Sequence, residues 1–202
     1  MSDDNPRVQA PYVEQADWAR AVLTISIGAF VAGELVQALR VRRDATRSNL
    51  AAEVLFRAMF FGAILLLPVG RVVAPDALIG GGAWSFSLGV LIGWLGLLLR
   101  WWSFATLGRW FTVVLQTSDD QPVVERGPYR VLRHPSYTGL LLAVAGCGVM
   151  LGNWVGTAGS VALLVIALVY RIRIEELALT TALGDRYRTF AAGRARLVPF
   201  VW

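Results

Sequence analysis

The chain has 202 residues, of which 56% are hydrophobic and 16% charged, where a soluble domain usually carries about 25% charged residues. All 19 basic residues are arginine and the net charge is +5, but the arginines stand beside long apolar runs, where they report membrane topology rather than nucleic-acid binding. The single histidine and single cysteine exclude a His/Cys metal cluster and an intrachain disulfide, so no metal site is expected.

The elements follow in chain order. Met1 to Asp17 is polar and acidic and does not read as a signal peptide. A helix needs about 20 apolar residues to cross the hydrocarbon core. Trp18–Leu39, Glu53–Val73 with Pro68 near its far end, and Trp84–Trp102, running on toward Leu107, meet that length. The polar stretch Gly108–Arg133 comes next and holds Asp119, Asp120, Glu125, Arg126 and Arg130. Thr138–Leu151 is apolar but short, Gly152-Asn153 makes a turn, and Trp154–Ile174 is apolar again, so these two predict a tight helical hairpin. The fold class is all-α: a polytopic membrane bundle of about five transmembrane helices with a C-terminal cytosolic helix. Residues 1–202 form one membrane domain, with transmembrane helices in 1–107 and the chemically loaded half in 108–202.

Arginine placement predicts the orientation. Arg40, Arg42, Arg43 and Arg47 fill the first loop, Arg109, Arg126, Arg130 and Arg133 the third, and Arg171, Arg173, Arg186, Arg188, Arg194 and Arg196 the tail. The opposite side has Arg7, Arg20 and Arg71. The positive-inside rule puts the first group in the cytosol of an inner (plasma) membrane, with the N-terminus outside and the C-terminus inside. Trp18, Trp84 and Trp154 then mark the outer interface, and Trp101, Trp102 and Trp110 the inner one. Gly89 and Gly93, and Gly148, Gly152 and Gly156, recur at four-residue spacing, which serves close helix packing within a chain or between two copies. Cys147 reads as a small packing residue.

Two segments carry residues that do chemistry. In Glu125–Gly139, Gly127-Pro128 marks a turn, and Pro135 holds His134 out of helical geometry while opening the next helix. That helix start favours an anionic or electron-rich group, and His134 sits there beside Tyr137. The second segment is Tyr170–Leu177, with the adjacent carboxylates Glu175 and Glu176. Arg171 and Glu175 stand at i,i+4 and Arg173 and Glu176 at i,i+3, a spacing that predicts surface ion pairs along one helix. Charges where a helix leaves a bilayer are also frequent functional sites. Glu34, inside the first span, is a weaker site candidate, with pairing to Arg57 or Arg40 as its structural explanation.

Together these motifs resemble the isoprenylcysteine carboxyl methyltransferase family and its phospholipid N-methyltransferase relatives. The resemblance runs over about residues 100–202 in five ordered motifs: Gly127–Tyr129, Arg133–Gly139, Glu175-Glu176, Gly184–Tyr187 and Arg196–Pro199. Where the family often has a second tyrosine after Gly-x-x-Tyr, this chain has Phe190 and no hydroxyl. The resemblance implies S-adenosyl-L-methionine as methyl donor, held by His134, Tyr137, Gly139, Glu175 and Glu176, with Arg133 and Tyr187 beside them. The chemistry is compatible, because the carboxylates can pair with an ammonium or accept from ribose hydroxyls, the arginines can pair with a carboxylate, and an aromatic face can stabilise a sulfonium. Methyl transfer is an in-line displacement that depends on alignment. A carboxylate acceptor is already ionised and needs an orienting cation, whereas an amine needs a base. Arg171 and Arg173 favour the oxygen acceptor, with Arg173 and Glu175 as the catalytic pair. The partners expected are a lipophilic acceptor entering from the bilayer and the membrane lipids, with no nucleic acid. Two rival readings remain. One is an NADPH-dependent reductase of the steroid/sterol type, whose Arg-His-Pro-Asn-Tyr element and acidic residue right after the glycine are replaced in this chain by Ser136 and Leu140. The other is a non-catalytic membrane scaffold.

Overall fold

The computed structural model describes residues 10–39, 46–47, 50–108, 116–117 and 123–199. Its helices are α1 (Tyr12–Gln15), α2 (Asp17–Ala38), α3 (Leu50–Val73), α4 (Ala83–Leu107), α5 (Pro135–Leu151), α6 (Trp154–Leu183) and α7 (Asp185–Ala192). A 3-10 turn covers Gly127–Arg130, and Thr46–Arg47 pairs antiparallel with Gln116–Thr117.

Among the described residues, four helices are long and apolar enough to cross a membrane: Asp17–Gln37, Ala51–Val73, Ala83–Leu107 and Trp154–Leu183. Their outer faces carry Phe61, Leu65, Leu91, Leu95 and Ile166 in exposed positions, which hydrocarbon tolerates and water does not. The expected count of five spans depends on α5, which at 17 residues measures about 26 Å. It nonetheless runs from one end of the bundle to the other.

At one end the α5–α6 turn docks on the loop after α3. Gly152, in the left-handed region at φ 74°, closes α5 by donating its N–H to Gly148 and Val149 carbonyls. Asn153 then caps α6 by accepting from the Gly156 N–H at 2.8 Å, and its Nδ2 donates to the Ala74 carbonyl at 2.8 Å. Backbone bonds from Ile79 N–H to Gly152 O and from Trp154 N–H to Ala77 O complete this latch. Arg71 reaches Glu14 at the same end. The predicted hairpin is therefore present, and both of its helices extend beyond the predicted bounds.

Small residues fix how close the helices come. A Cβ on Gly96 of α4 would lie 2.6 Å from the Gly139 carbonyl of α5, and one on Gly89 would lie 2.8 Å from the Met150 nitrogen. Gly148 faces Thr157 of α6, and Gly156 faces the Leu67 carbonyl of α3. The glycine spacing thus serves contacts within one chain. Ala63, Leu67, Leu140, Val144, Leu164 and Leu168, from α3, α5 and α6, form the central apolar cluster.

Candidate functional site

The opposite end of the bundle gathers the ionisable residues. Its floor is the start of α5. His134 precedes the helix in non-helical geometry (φ −126°, ψ 57°), and Pro135 occupies the first turn, where its missing N–H costs little. The ring of Tyr137 stacks on His134 at 5.6 Å with 17° between the planes. A wall is formed by α6, whose 30 residues span about 45 Å and carry Glu175 and Glu176 beyond the apolar part of the helix.

The roof is the segment after α7. Arg133 N–H donates to the Ala195 carbonyl and His134 N–H to the Arg196 carbonyl, while Thr138 Oγ1 donates to the Leu197 carbonyl at 2.7 Å. Residues 194–197 therefore lie across 132–134 as a strap, in parallel register at Leu132 and Ala195. Arg194 stacks over the Phe190 ring at 4.4 Å and its Nη2 donates to Glu125, which ties the strap to α7 and to the preceding loop.

Within these boundaries Glu176 accepts from Arg133 Nη1 at 3.0 Å and from Arg196 Nε at 2.9 Å. His134 Nε2 lies 3.5 Å from Glu176 Oε1, and its Nδ1 lies 4.0 Å from Glu175 Oε2. Glu175 Oε2 accepts from the Tyr137 hydroxyl at 2.7 Å. Tyr187, on α7, is buried, and burial together with the Glu176 and Glu175 charges pushes its hydroxyl pKa up. Tyr129 is likewise raised, by burial first and then by Glu175. Both phenols therefore stay protonated at neutral pH, as neutral polar groups beside two carboxylates.

Six of the sequence-predicted residues, Arg133, His134, Tyr137, Glu175, Glu176 and Tyr187, are brought together here. Gly139 is not among them: it faces α4, where a Cβ would meet the Gly96 carbonyl and the Arg100 nitrogen. Arg173 is exposed and continues the outward stripe of α6 marked by Ile166 and Leu177, away from the acidic pair's partners. The surface ion pairs expected along α6 give way to partners on other elements. Arg171 is buried against Glu53 of α3, and Glu176 engages Arg133 and Arg196. Glu34 pairs not with Arg57 but with Arg100, through Nε at 2.6 Å and Nη2 at 2.9 Å, while Arg57 pairs with Glu53. Arg40, Trp110, Asp119 and Asp120 lie outside the described residues. The expectations missed Arg100, Glu53 and Arg196 as members of the polar network. Only Arg196 carried a signal, through the closing Arg-Leu-x-Pro motif.

Comparison with known proteins follows this geometry. Residues 89–181 match the model of the isoprenylcysteine carboxyl methyltransferase family. Protein-S-isoprenylcysteine O-methyltransferase A of Arabidopsis thaliana is 32% identical over 120 residues, 58% of this chain and 61% of that protein. The cobalt-zinc-cadmium resistance protein CzcN of Cupriavidus metallidurans is 36% identical over 107 residues, 52% of this chain and 46% of that protein. The match thus spans about three fifths of the Arabidopsis relative. Among solved structures, the eukaryotic intramembrane Ras methyltransferase ICMT superposes with a TM-score of 0.63 at 23% identity, covering 96% of this chain and 70% of that one. The all-helical membrane fold is therefore shared along nearly the whole chain.

Proposed function

We propose, for a chain whose residues 89–181 match the model of the isoprenylcysteine carboxyl methyltransferase family, membership of that family and an S-adenosyl-L-methionine-dependent methyltransferase activity on a lipophilic acceptor at the cytosolic face of the plasma membrane. The observation that carries this reading is the convergence of His134, Tyr137, Glu175 and Glu176 beneath the strap 194–197. The arginine bias of that end supports a cytosolic placement. Residues 1–202 then act as one membrane domain, with the cofactor half in 108–202.

The residues present fit the methyl donor. Among the described residues Tyr187 Oη is buried without a hydrogen-bond partner, and His134 Nε2 has Glu176 Oε1 only at 3.5 Å; buried polar atoms are normally satisfied, so both fit contact with a polar ligand. When bound, the donor supplies a methyl group on a sulfonium. Arg133, His134, Tyr137, Glu175, Glu176 and Tyr187 would hold it. Glu175 and Glu176 attract its cationic groups and accept from hydroxyls. The stacked faces of His134 and Tyr137 present an aromatic surface to positive charge. The strap covers the start of α5 and leaves Glu176 14% exposed, and such partial burial strengthens these interactions.

On the acceptor side, a carboxylate is ionised at neutral pH and asks no proton transfer of the protein. Arg173, on the lipid-facing stripe of α6, would meet such an anion arriving from the bilayer, with Glu175 beside Tyr137 at the reacting end. The name of the Arabidopsis relative, an S-isoprenylcysteine O-methyltransferase, supports an oxygen acceptor and suggests an S-prenylated cysteine as the probe.

Detergent-solubilised protein titrated with S-adenosylhomocysteine and, separately, with NADPH tests the reading. Saturable binding of the first, with methyl transfer to a prenylcysteine carboxylate, is expected. Saturable binding of NADPH alone would establish the reductase instead, and binding of neither would leave a scaffold.

A further inference from the structure

Glu53 lies on α3, outside the segment that matches the family. Its side chain is only 8% exposed, and it accepts from Arg57 Nε at 2.8 Å and from Arg171 Nη1. Arg171 is itself buried and lies over the Phe56 ring, with its guanidinium carbon 5.1 Å from the centroid. Its Nε reaches the Tyr137 hydroxyl at 3.4 Å, and that hydroxyl donates to Glu175 at 2.7 Å. A polar line thus runs from α3 through α6 and α5 back to α6.

The direction of this line follows from donor and acceptor chemistry. A guanidinium only donates, and a tyrosine hydroxyl has one proton and two acceptor sites. With Arg171 donating to it, Tyr137 can give its one proton only elsewhere, and Glu175 receives it. A guanidinium this deeply buried is stable only with an anionic partner, and Glu53 supplies one from a different helix. Without that anion, Arg171 would turn its charge toward Glu175, one helical turn further along α6.

We propose that Glu53 is a positioning residue: it holds Arg171 against Tyr137 and so leaves the Glu175 carboxylate aligned by Tyr137 and available to the ligand. The inference rests on the methyltransferase reading for its purpose, but not for its mechanism.

The test has two arms. In the first, the full chain in detergent carries tyrosine labelled with ¹³C at Cζ, and the Tyr137 signal is identified as the one lost in Tyr137→Phe. Glu53→Gln is expected to shift that signal and Glu53→Asp to move it less. An unmoved signal in Glu53→Gln overturns the proposal, and Glu53→Asp serves alone if the glutamine variant does not fold. In the second arm, S-adenosylhomocysteine affinity is expected to fall about tenfold in Glu53→Gln, the scale of one charged hydrogen bond. In a Tyr137→Phe background the same substitution is expected to change affinity less than twofold. An equal loss in both backgrounds would mean that Glu53 merely holds α3 to α6, and would overturn the proposal. A tyrosine signal shifted by Glu53→Gln, together with a wild-type protein that binds no S-adenosylhomocysteine, would sink the methyltransferase reading while leaving the Glu53 line standing.

Discussion

Glu176 is the joint on which the enclosed end depends, so its removal has two measurable consequences. Its carboxylate, 14% exposed, accepts from Arg133 on the floor and from Arg196 on the strap, with His134 3.5 Å away. Glu176→Ala removes the carboxylate that Arg133 and Arg196 share. Breaking a fully buried pair costs about 3–5 kcal/mol, and the residual solvent contact lowers this to about 2–4 kcal/mol. At the lower figure the strap opens about 30-fold more often. Arg194 and Arg196 are tryptic sites within the strap, and cleavage there tracks the open population when opening is fast. Limited trypsinolysis followed by intact-mass measurement should therefore release the tail about 30-fold faster in Glu176→Ala, a rate set by the same free energy. Glu125→Ala is the internal control, because Glu125 is 56% exposed and such a rim pair contributes less than about 1 kcal/mol. Equal cleavage rates in the two variants would refute the idea that Glu176 closes the site. Affinity for S-adenosylhomocysteine should fall in Glu176→Ala and stay within about twofold of wild type in Glu125→Ala.

Two further predictions concern the frame that holds the site. Gly96→Leu forces a side chain against the Gly139 carbonyl and Ala143 nitrogen, so α4 and α5 must separate. A loss of about 3 kcal/mol or more is expected, read as a lower melting temperature in detergent, and an unchanged melting temperature would show that the two helices do not pack as described. Asn153→Ala removes both the cap on Gly156 and the bond to Ala74 at the far end of the bundle, at a cost of about 2 kcal/mol. It should lower thermal stability without changing S-adenosylhomocysteine affinity, and a selective loss of affinity would contradict the placement of the site at the opposite end.

What the sequence made legible is what local rules encode. The apolar runs gave α2 and α3 within a few residues, α4 to its expected extension toward Leu107, and the start of α6, because hydrocarbon thickness sets helix length; α6 runs on nine residues past Ile174 to Leu183. Gly152-Asn153 announced its turn through a left-handed glycine and a capping asparagine, both locally determined. The ion pairs were not legible. Spacing on α6 suggested Arg171 with Glu175 and Arg173 with Glu176, yet Arg171 pairs with a residue 118 positions away and Glu34 with one 66 positions away. In a low-dielectric interior a charge takes a buried partner wherever packing presents one, and interhelical register is not written in the period of one helix. Gly139 shows a second use of a motif glycine that spacing does not reveal. It belongs to a motif rich in site residues, but in a membrane helix the absence of a side chain also serves close approach, and here that use has the contacts. The strap was legible only as a motif, because a parallel pairing between residues 132 and 195 has no local signature.

Helix length explains why the chemistry gathers at this depth. At the shared Gly152-Asn153 turn α5 ends and α6 starts. Counting from there, Glu175 lies about 32 Å along α6, just past the roughly 30 Å hydrocarbon core. Tyr137 lies only about 21 Å along α5, still inside it. The Tyr137 hydroxyl bonded to Glu175 therefore bridges a step between the lipid level and the water level. On the proposed methyltransferase reading, a charged, water-soluble methyl donor would take the upper level and a lipophilic acceptor the lower one. A bundle whose α5 is short and whose α6 is long offers both at adjoining residues. Lengthening α5 by one turn would raise Tyr137 toward the water and remove the step without deleting any site residue.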